Sequence, residues 1–138
     1  RASGTAAGTT TDAPDRNGDI SYWMAELADT PVGARLDGDI ETDVAIVGAG
    51  YTGLWAAYYL AERDPALRIV VLEQNRVGYG ASGRNGGWLT NSITGGHDGY
   101  AAEHGIEAVR SFQNELNATV DEVLAVCARE GIDAEAVK

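Results

Sequence analysis

The run Gly48-Ala49-Gly50-Tyr51-Thr52-Gly53 constrains this chain more than any other stretch, because of what stands on either side of it. Ahead of it, Asp43 to Val47 is a short apolar, β-branched run that reads as a strand buried on both faces. Behind it, Leu54 to Glu62 is rich in alanine and reads as a helix that ends before Asp64-Pro65. Ile69 to Glu73 is a second β-branched run and a second strand. Strand, helix and strand within about 30 residues make a βαβ unit. The glycine spacing is G-x-G-x-x-G, in which each glycine has a task. Gly48 makes the tight turn, Gly50 lets backbone approach a pyrophosphate, and Gly53 lets the helix lie close to the strands. With 18 glycines in 138 residues the spacing alone arises by chance, so the flanking elements carry the reading. The pyrophosphate is expected at the N-terminus of the helix that follows, where free N–H groups and the helix dipole favour an anion.

An acid at the end of the second strand completes the pattern. Glu73 lies 20 positions past Gly53, where a carboxylate accepts hydrogen bonds from ribose hydroxyls and disfavours a 2′-phosphate. A site of this kind takes NAD or FAD, and the glycines alone do not choose between them.

Composition excludes other function classes. A formal net charge of −11 opposes binding to nucleic acid, whose phosphates call for a surplus of Lys and Arg, and opposes anionic membrane surfaces. No stretch approaches the roughly 20 apolar residues of a membrane helix. Residues 1–19 are small and polar with no apolar core of a secretory signal, and read as a disordered leader, so a cytoplasmic location is expected. The single cysteine, Cys127, excludes an internal disulfide and a multi-cysteine metal site, and no metal is expected. It reads as a small core residue of a helix.

The stretch that follows Glu73 separates the two cofactors. Gly80-Ala81-Ser82-Gly83-Arg84-Asn85-Gly86-Gly87, after Glu73-Gln74-Asn75-Arg76-Val77, resembles the second flavin-contacting loop of the D-amino-acid oxidase superfamily. The run Asp43 to Thr90 is similar to the branch containing glycine oxidase, sarcosine oxidase and gamma-glutamylputrescine oxidase, and the Tyr22-Trp23 segment looks like the lead-in of the putrescine-pathway members. The resemblance implies an α/β fold, a Rossmann-like FAD-binding βαβ unit with a following long helix, as an incomplete piece of a two-domain flavoenzyme. It implies FAD with its adenosine on Glu73, its pyrophosphate on the first helix, and the glycine-dense loop along phosphates or ribityl oxygens. On that basis Gly48, Gly50, Tyr51, Thr52, Gly53, Glu73, Gln74, Arg76, Ser82, Gly83, Arg84, Asn85 and Gly86 are the cofactor-binding candidates. For Arg76 a ribose-side contact and plain surface stand about even, and for Trp88 a flavin wall and a loop anchor are both open. Where some relatives tether the flavin through a histidine, this chain has Arg84, so the FAD is expected to be non-covalent.

The expected function is FAD-dependent oxidation of a C–N bond in a small amine or amino acid, with this chain supplying the ADP- and pyrophosphate-binding part. An NAD-linked dehydrogenase domain is one alternative, and a non-catalytic nucleotide-binding fragment or a subunit of a split enzyme is another. The expected organisation is a leader over 1–19, a helix-and-turn segment over 20–42, and the N-terminal part of an FAD-binding domain over 43–138. Ser21 is read as the cap of a short helix running through Tyr22 to Leu27 and breaking near Thr30-Pro31. Gly78 to Gly99 reads as a long functional loop containing His97, and Ile106 to Glu130 as a helix stopped by Gly131, with His104 on a helix surface. The substrate domain is expected to be absent, the rest of the enzyme to be a candidate partner chain, and the chain alone to be inactive. No catalytic acid, base or nucleophile is assigned.

Overall fold

The computed structural model describes residues 21–26 and 33–136, which fall into two compact units divided between Gly86 and Gly87. The expected leader and the break near Thr30-Pro31 lie outside the described residues.

The first unit is built on two parallel strands, β1 (Val44–Val47) and β2 (Ile69–Leu72), joined by helix α2 (Tyr51–Arg63); the short α1 (Tyr22–Glu26) precedes them. Val44 stands opposite Ile69 and Val47 opposite Leu72, which is the register of the expected βαβ unit. Its lower end is fixed by a fork. The Arg68 guanidinium donates to both carboxylate oxygens of Asp43 at 2.9 and 3.0 Å, and the Arg68 N–H adds a third bond at 2.9 Å. Arg68 holds the Asp43 carboxyl below its usual range. The Arg68 carbonyl in turn accepts from Asp43 N–H at 3.0 Å and from the Thr42 hydroxyl.

Burial of the strands departs from expectation. Neither is buried on both faces: β1 alternates between half-buried Val44 and Ile46 and exposed Ala45 and Val47, and every β2 residue is half-buried. Helix α2 approaches the Ile46 side, as the Gly53–Ile46 proximity shows. With side chains alternating across a strand, Ala45 and Val47 lie on the other face. The apolar run thus signalled strand correctly, but its burial depends on how many layers cover the sheet.

Helix α2 begins at Tyr51, three residues before the expected Leu54, so the end of the glycine motif is itself the first helical turn. Gly48 at φ +97° reverses the chain in a conformation L side chains rarely adopt, and Gly50 is extended. Trp55 stacks on Tyr59 at 5.5 Å and meets Tyr58 edge-on at 5.9 Å, stiffening the helix surface.

The second unit contains α3 (His97–His104) and α4 (Ile106–Glu130). The long helix has the bounds its apolar period predicts. It ends at Gly131 in the left-handed region (φ 66°, ψ 28°), where the Ile132 N–H reaches back to the Cys127 carbonyl at 2.8 Å. Val109 and Val126 of α4 and Ile93 are buried, whereas Ile106 and Phe112 of the same stripe are exposed and Cys127 is half-buried. His97 opens α3 rather than lying in a loop. Among the described residues no helix is long and apolar enough to cross a membrane.

Candidate functional site

The glycine turn is the junction at which three parts of the first unit meet. Gly48 N–H donates to the Leu72 carbonyl at 2.7 Å, tying the turn to the end of β2. The next residue, Ala49, is the most deeply buried apolar residue at 2% exposure. Its peptide groups are held on both sides: its N–H donates to Glu73 Oε2 at 2.8 Å, and its carbonyl accepts from Gly78 N–H at 2.9 Å.

Glu73 therefore has a task that strand spacing did not show. One carboxylate oxygen braces the glycine turn while the other accepts from Asn75 N–H at 3.0 Å. The Ala49 bond first, then those from Asn75 and Gln74, hold the Glu73 carboxyl below its ordinary value, so it is an anion at neutral pH. An ionised carboxylate offers about four acceptor sites, and these backbone bonds do not fill them, so the side chain keeps capacity for a further donor.

The glycine-dense loop closes on the turn from the other side. It contains a short 3₁₀ turn, Ala81–Gly83, in which Ser82 is half-buried. The Tyr51 N–H donates to Ser82 Oγ at 2.9 Å. Gly50, the N-cap of α2, has no side chain to offer, so the cap comes from a residue 31 positions downstream. Asn85 Nδ2 donates to the Tyr51 hydroxyl at 3.2 Å and to the Ser82 carbonyl at 2.7 Å. With the Tyr51 N–H taken by Ser82, the first-turn N–H groups of Thr52 and Gly53 have no partner inside the helix and are the kind of donor an anionic oxygen takes.

The glycines of the turn permit close approaches that a side chain would block. A Cβ built on Gly50 would stand 3.0 Å from Ser82 Oγ, and one on Gly53 would collide with the Gly48 carbonyl oxygen and lie 3.2 Å from Ile46 Cγ2. Gly50 thus keeps the gap between α2 and the loop clear, and Gly53 lets the helix sit on β1.

The remaining candidates are placed less centrally. Arg84 is held within its own loop, with Nε donating to the Tyr79 carbonyl at 2.8 Å and the guanidinium 4.9 Å from the Tyr79 ring centre. Gln74 and Gly86 are exposed, and Arg76, half-buried, accepts from Tyr79 N–H at 3.0 Å through its carbonyl. Gly83 is packed against Gly78 so closely that a Cβ there would strike the Gly78 carbonyl oxygen. Trp88, in the second unit, is 91% exposed, which removes the option that it anchors its loop.

An open depression of about 550 Å³ in the second unit is lined by Asn91, Ser92, Ile93, Gly96, His97, Gln113 and Asn117. Its amides bond one another: Asn91 Nδ2 to Asn117 Oδ1 at 2.7 Å, and Gln113 Nε2 to the Asn91 carbonyl at 2.8 Å. Among the described residues, no three His, Cys, Asp or Glu side chains form a group that could hold a metal ion.

Comparison with known proteins identifies the family of the chain. The description of the FAD dependent oxidoreductase family matches residues 43–138. Gamma-glutamylputrescine oxidoreductase of Escherichia coli K12 is 42% identical over 90 residues, 65% of this chain and 21% of that protein. A probable oxidoreductase, OrdL, of Haemophilus influenzae is 42% identical over 79 residues, 57% of this chain and 18% of its own length. Thiamine thiazole synthase of Schizosaccharomyces pombe is 43% identical over 58 residues, 42% of this chain and 16% of its own. The chain spans about a fifth of the length of the first two of these relatives. No solved structure matches it significantly.

Proposed function

The chain belongs to the FAD dependent oxidoreductase family, and from that membership we propose that its first unit holds FAD for the oxidation of a C–N bond in an amine or amino acid. The observation that carries the placement is convergence on one turn. Glu73 at the end of β2 and Ser82 of the glycine-dense loop are bonded to neighbouring backbone N–H groups, those of Ala49 and Tyr51.

In this reading Glu73 accepts the adenosine ribose hydroxyls while it keeps the glycine turn in shape. The first-turn N–H groups of α2, with Gly50 leaving the approach open, take the pyrophosphate. Ser82 shares its hydroxyl with that phosphate, and Asn85 and Gly86 lie along the ribityl side. Gln74 and Arg76 border the ribose, and Arg84 sets the loop through Tyr79. When bound, FAD would supply the two-electron acceptor for the hydride that leaves the carbon of the substrate's C–N unit, the nitrogen losing a proton. The chain's own part is to bind and orient, and no proton transfer is assigned to its residues. Arg84 supplies no usable nucleophile, so this loop holds the cofactor non-covalently.

The amine assignment draws on the E. coli relative's name. It is tested on the full-length protein by recording the flavin absorbance of the purified material and its anaerobic bleaching by a panel of amines and amino acids that begins with gamma-glutamylputrescine. Bleaching by members of the panel supports the reading. A yellow protein that no amine or amino acid reduces removes the C–N assignment, and a colourless one that FAD does not titrate removes the cofactor placement.

A further inference from the structure

Helix α1 lies outside the residues 43–138 that the family description covers, yet its side chains fasten on the loop that meets the glycine turn. Ser21 is the buried polar residue of the described set, at 6% exposure. Its hydroxyl does not simply cap α1, as its position had suggested, but donates to the Gly83 carbonyl. Two residues on, Trp23 Nε1 donates to the Asn85 carbonyl at 2.9 Å. The next residue, Met24, has its Cε 3.5 Å from where a Gly78 Cβ would stand and 3.4 Å from a Gly83 Cβ, filling the space those two glycines leave. Both hydrogen bonds span 62 positions of sequence, so they report tertiary docking and not local helix geometry.

We propose that α1 is a positioning clamp for the cofactor loop, with Ser21, Trp23 and Met24 fixing Gly78–Asn85 in the shape that presents Ser82 and Asn85 to the glycine turn. A trans peptide points its N–H opposite to its carbonyl. Holding the Gly83 and Asn85 carbonyls toward α1 therefore aims the next N–H groups away from it, that of Arg84 closing the 3₁₀ turn on the Ala81 carbonyl at 3.2 Å. Ser82 and Asn85 are bonded on that other side, to Tyr51 N–H and the Tyr51 hydroxyl. The loop is thus held from two sides. Glycine density gives it a large conformational entropy to lose, and the clamp removes that freedom before the ligand arrives. Where this loop bears on FAD, the inference rests on the function proposed above.

The test is a double variant, Ser21→Ala with Trp23→Phe, in the full-length protein, beside Trp23→Phe alone and the conservative Ser21→Thr. Amide hydrogen exchange of residues 78–86 is measured without cofactor, and FAD dissociation is measured by flavin fluorescence. The double variant should exchange about tenfold faster over 78–86 and bind FAD about tenfold more weakly, two lost hydrogen bonds being worth at least that. Amides of β1 and β2 should keep wild-type protection. Trp23→Phe alone should move both readouts part of the way, and Ser21→Thr, which keeps the hydroxyl, should move neither. Unchanged loop exchange in the double variant overturns the clamp, and so does an equal loss of protection in β1 and β2, which would make α1 a general support. Wild-type protein that binds no FAD defeats the proposed function, while the exchange result still decides the clamp.

Discussion

Gly53 and Gly99 both stand third in a helix, and the structure gives them opposite responses to alanine. Alanine is favoured over glycine inside a helix by about 1 kcal/mol, so propensity by itself predicts that both substitutions stabilise. At Gly99 a new Cβ meets nothing within 4 Å, and that gain stands, at about 0.5–1 kcal/mol this close to a helix start. At Gly53 the Cβ would run into the Gly48 carbonyl oxygen, with the Gly48 carbonyl carbon at 3.3 Å behind it. That neighbour has little freedom to give way: Gly48 sits at φ +97° and its N–H is bonded to Leu72 at 2.7 Å. Overpacking against a fixed neighbour costs about 1–3 kcal/mol, and with backbone as the obstacle the upper part of that range applies. After the helix gain is subtracted, Gly53→Ala should lose roughly 1–2 kcal/mol. Urea unfolding followed by far-ultraviolet circular dichroism reads both variants, with the midpoint rising for Gly99→Ala and falling for Gly53→Ala. FAD affinity should fall only in Gly53→Ala, since relief of the clash displaces the glycine turn. A Gly53→Ala protein as stable as Gly99→Ala, with FAD binding intact, would refute the close-packing argument.

Four further outcomes are expected. Gly50→Val should abolish flavin retention, because even a single Cβ there stands 3.0 Å from Ser82 Oγ and the branched side chain blocks the mouth of α2; the flavin absorbance of the purified variant measures this, and wild-type flavin content would contradict it. Glu73→Ala should weaken FAD by about 1.5–3 kcal/mol, as titration by flavin fluorescence would show, and a change of a few tenths would reduce Glu73 to a solvated side chain. Because folding and the Ala49 bond lower the Glu73 carboxyl, its contribution to stability is present above the ordinary carboxylate value of about 4.3 and is lost as pH falls through the depressed one. The wild type should therefore lose more stability than Glu73→Gln below about pH 4.3, with both flat in this respect from pH 6 to 8. Finally, acid denaturation should release free FAD and leave the polypeptide colourless, and flavin retained on a peptide within 1–138 would rule out non-covalent binding by this part of the chain.

The sequence by itself determined the βαβ unit, its parallel order, the long helix and the glycine positions. These follow from local regularities: β-branched runs, a 3.6-residue apolar period, a left-handed stop at Gly131, and a motif whose glycines are needed for backbone reasons. The spacing also located Glu73 at the end of β2, because a βαβ unit has nearly fixed length. What the spacing did not hold was anything that depends on which surfaces meet. Whether β1 and β2 are buried on both faces is set by the layers placed against them, and Val47 is apolar yet 86% exposed. That Ser82 caps α2, that Glu73 braces Ala49, and that Ser21 and Trp23 grip the Gly83 and Asn85 carbonyls were decided by tertiary structure alone. Each of these bonds joins side chain to backbone across 24 to 62 positions. A backbone N–H or carbonyl carries no residue identity, so its partner leaves no mark in the sequence until the fold brings the two together.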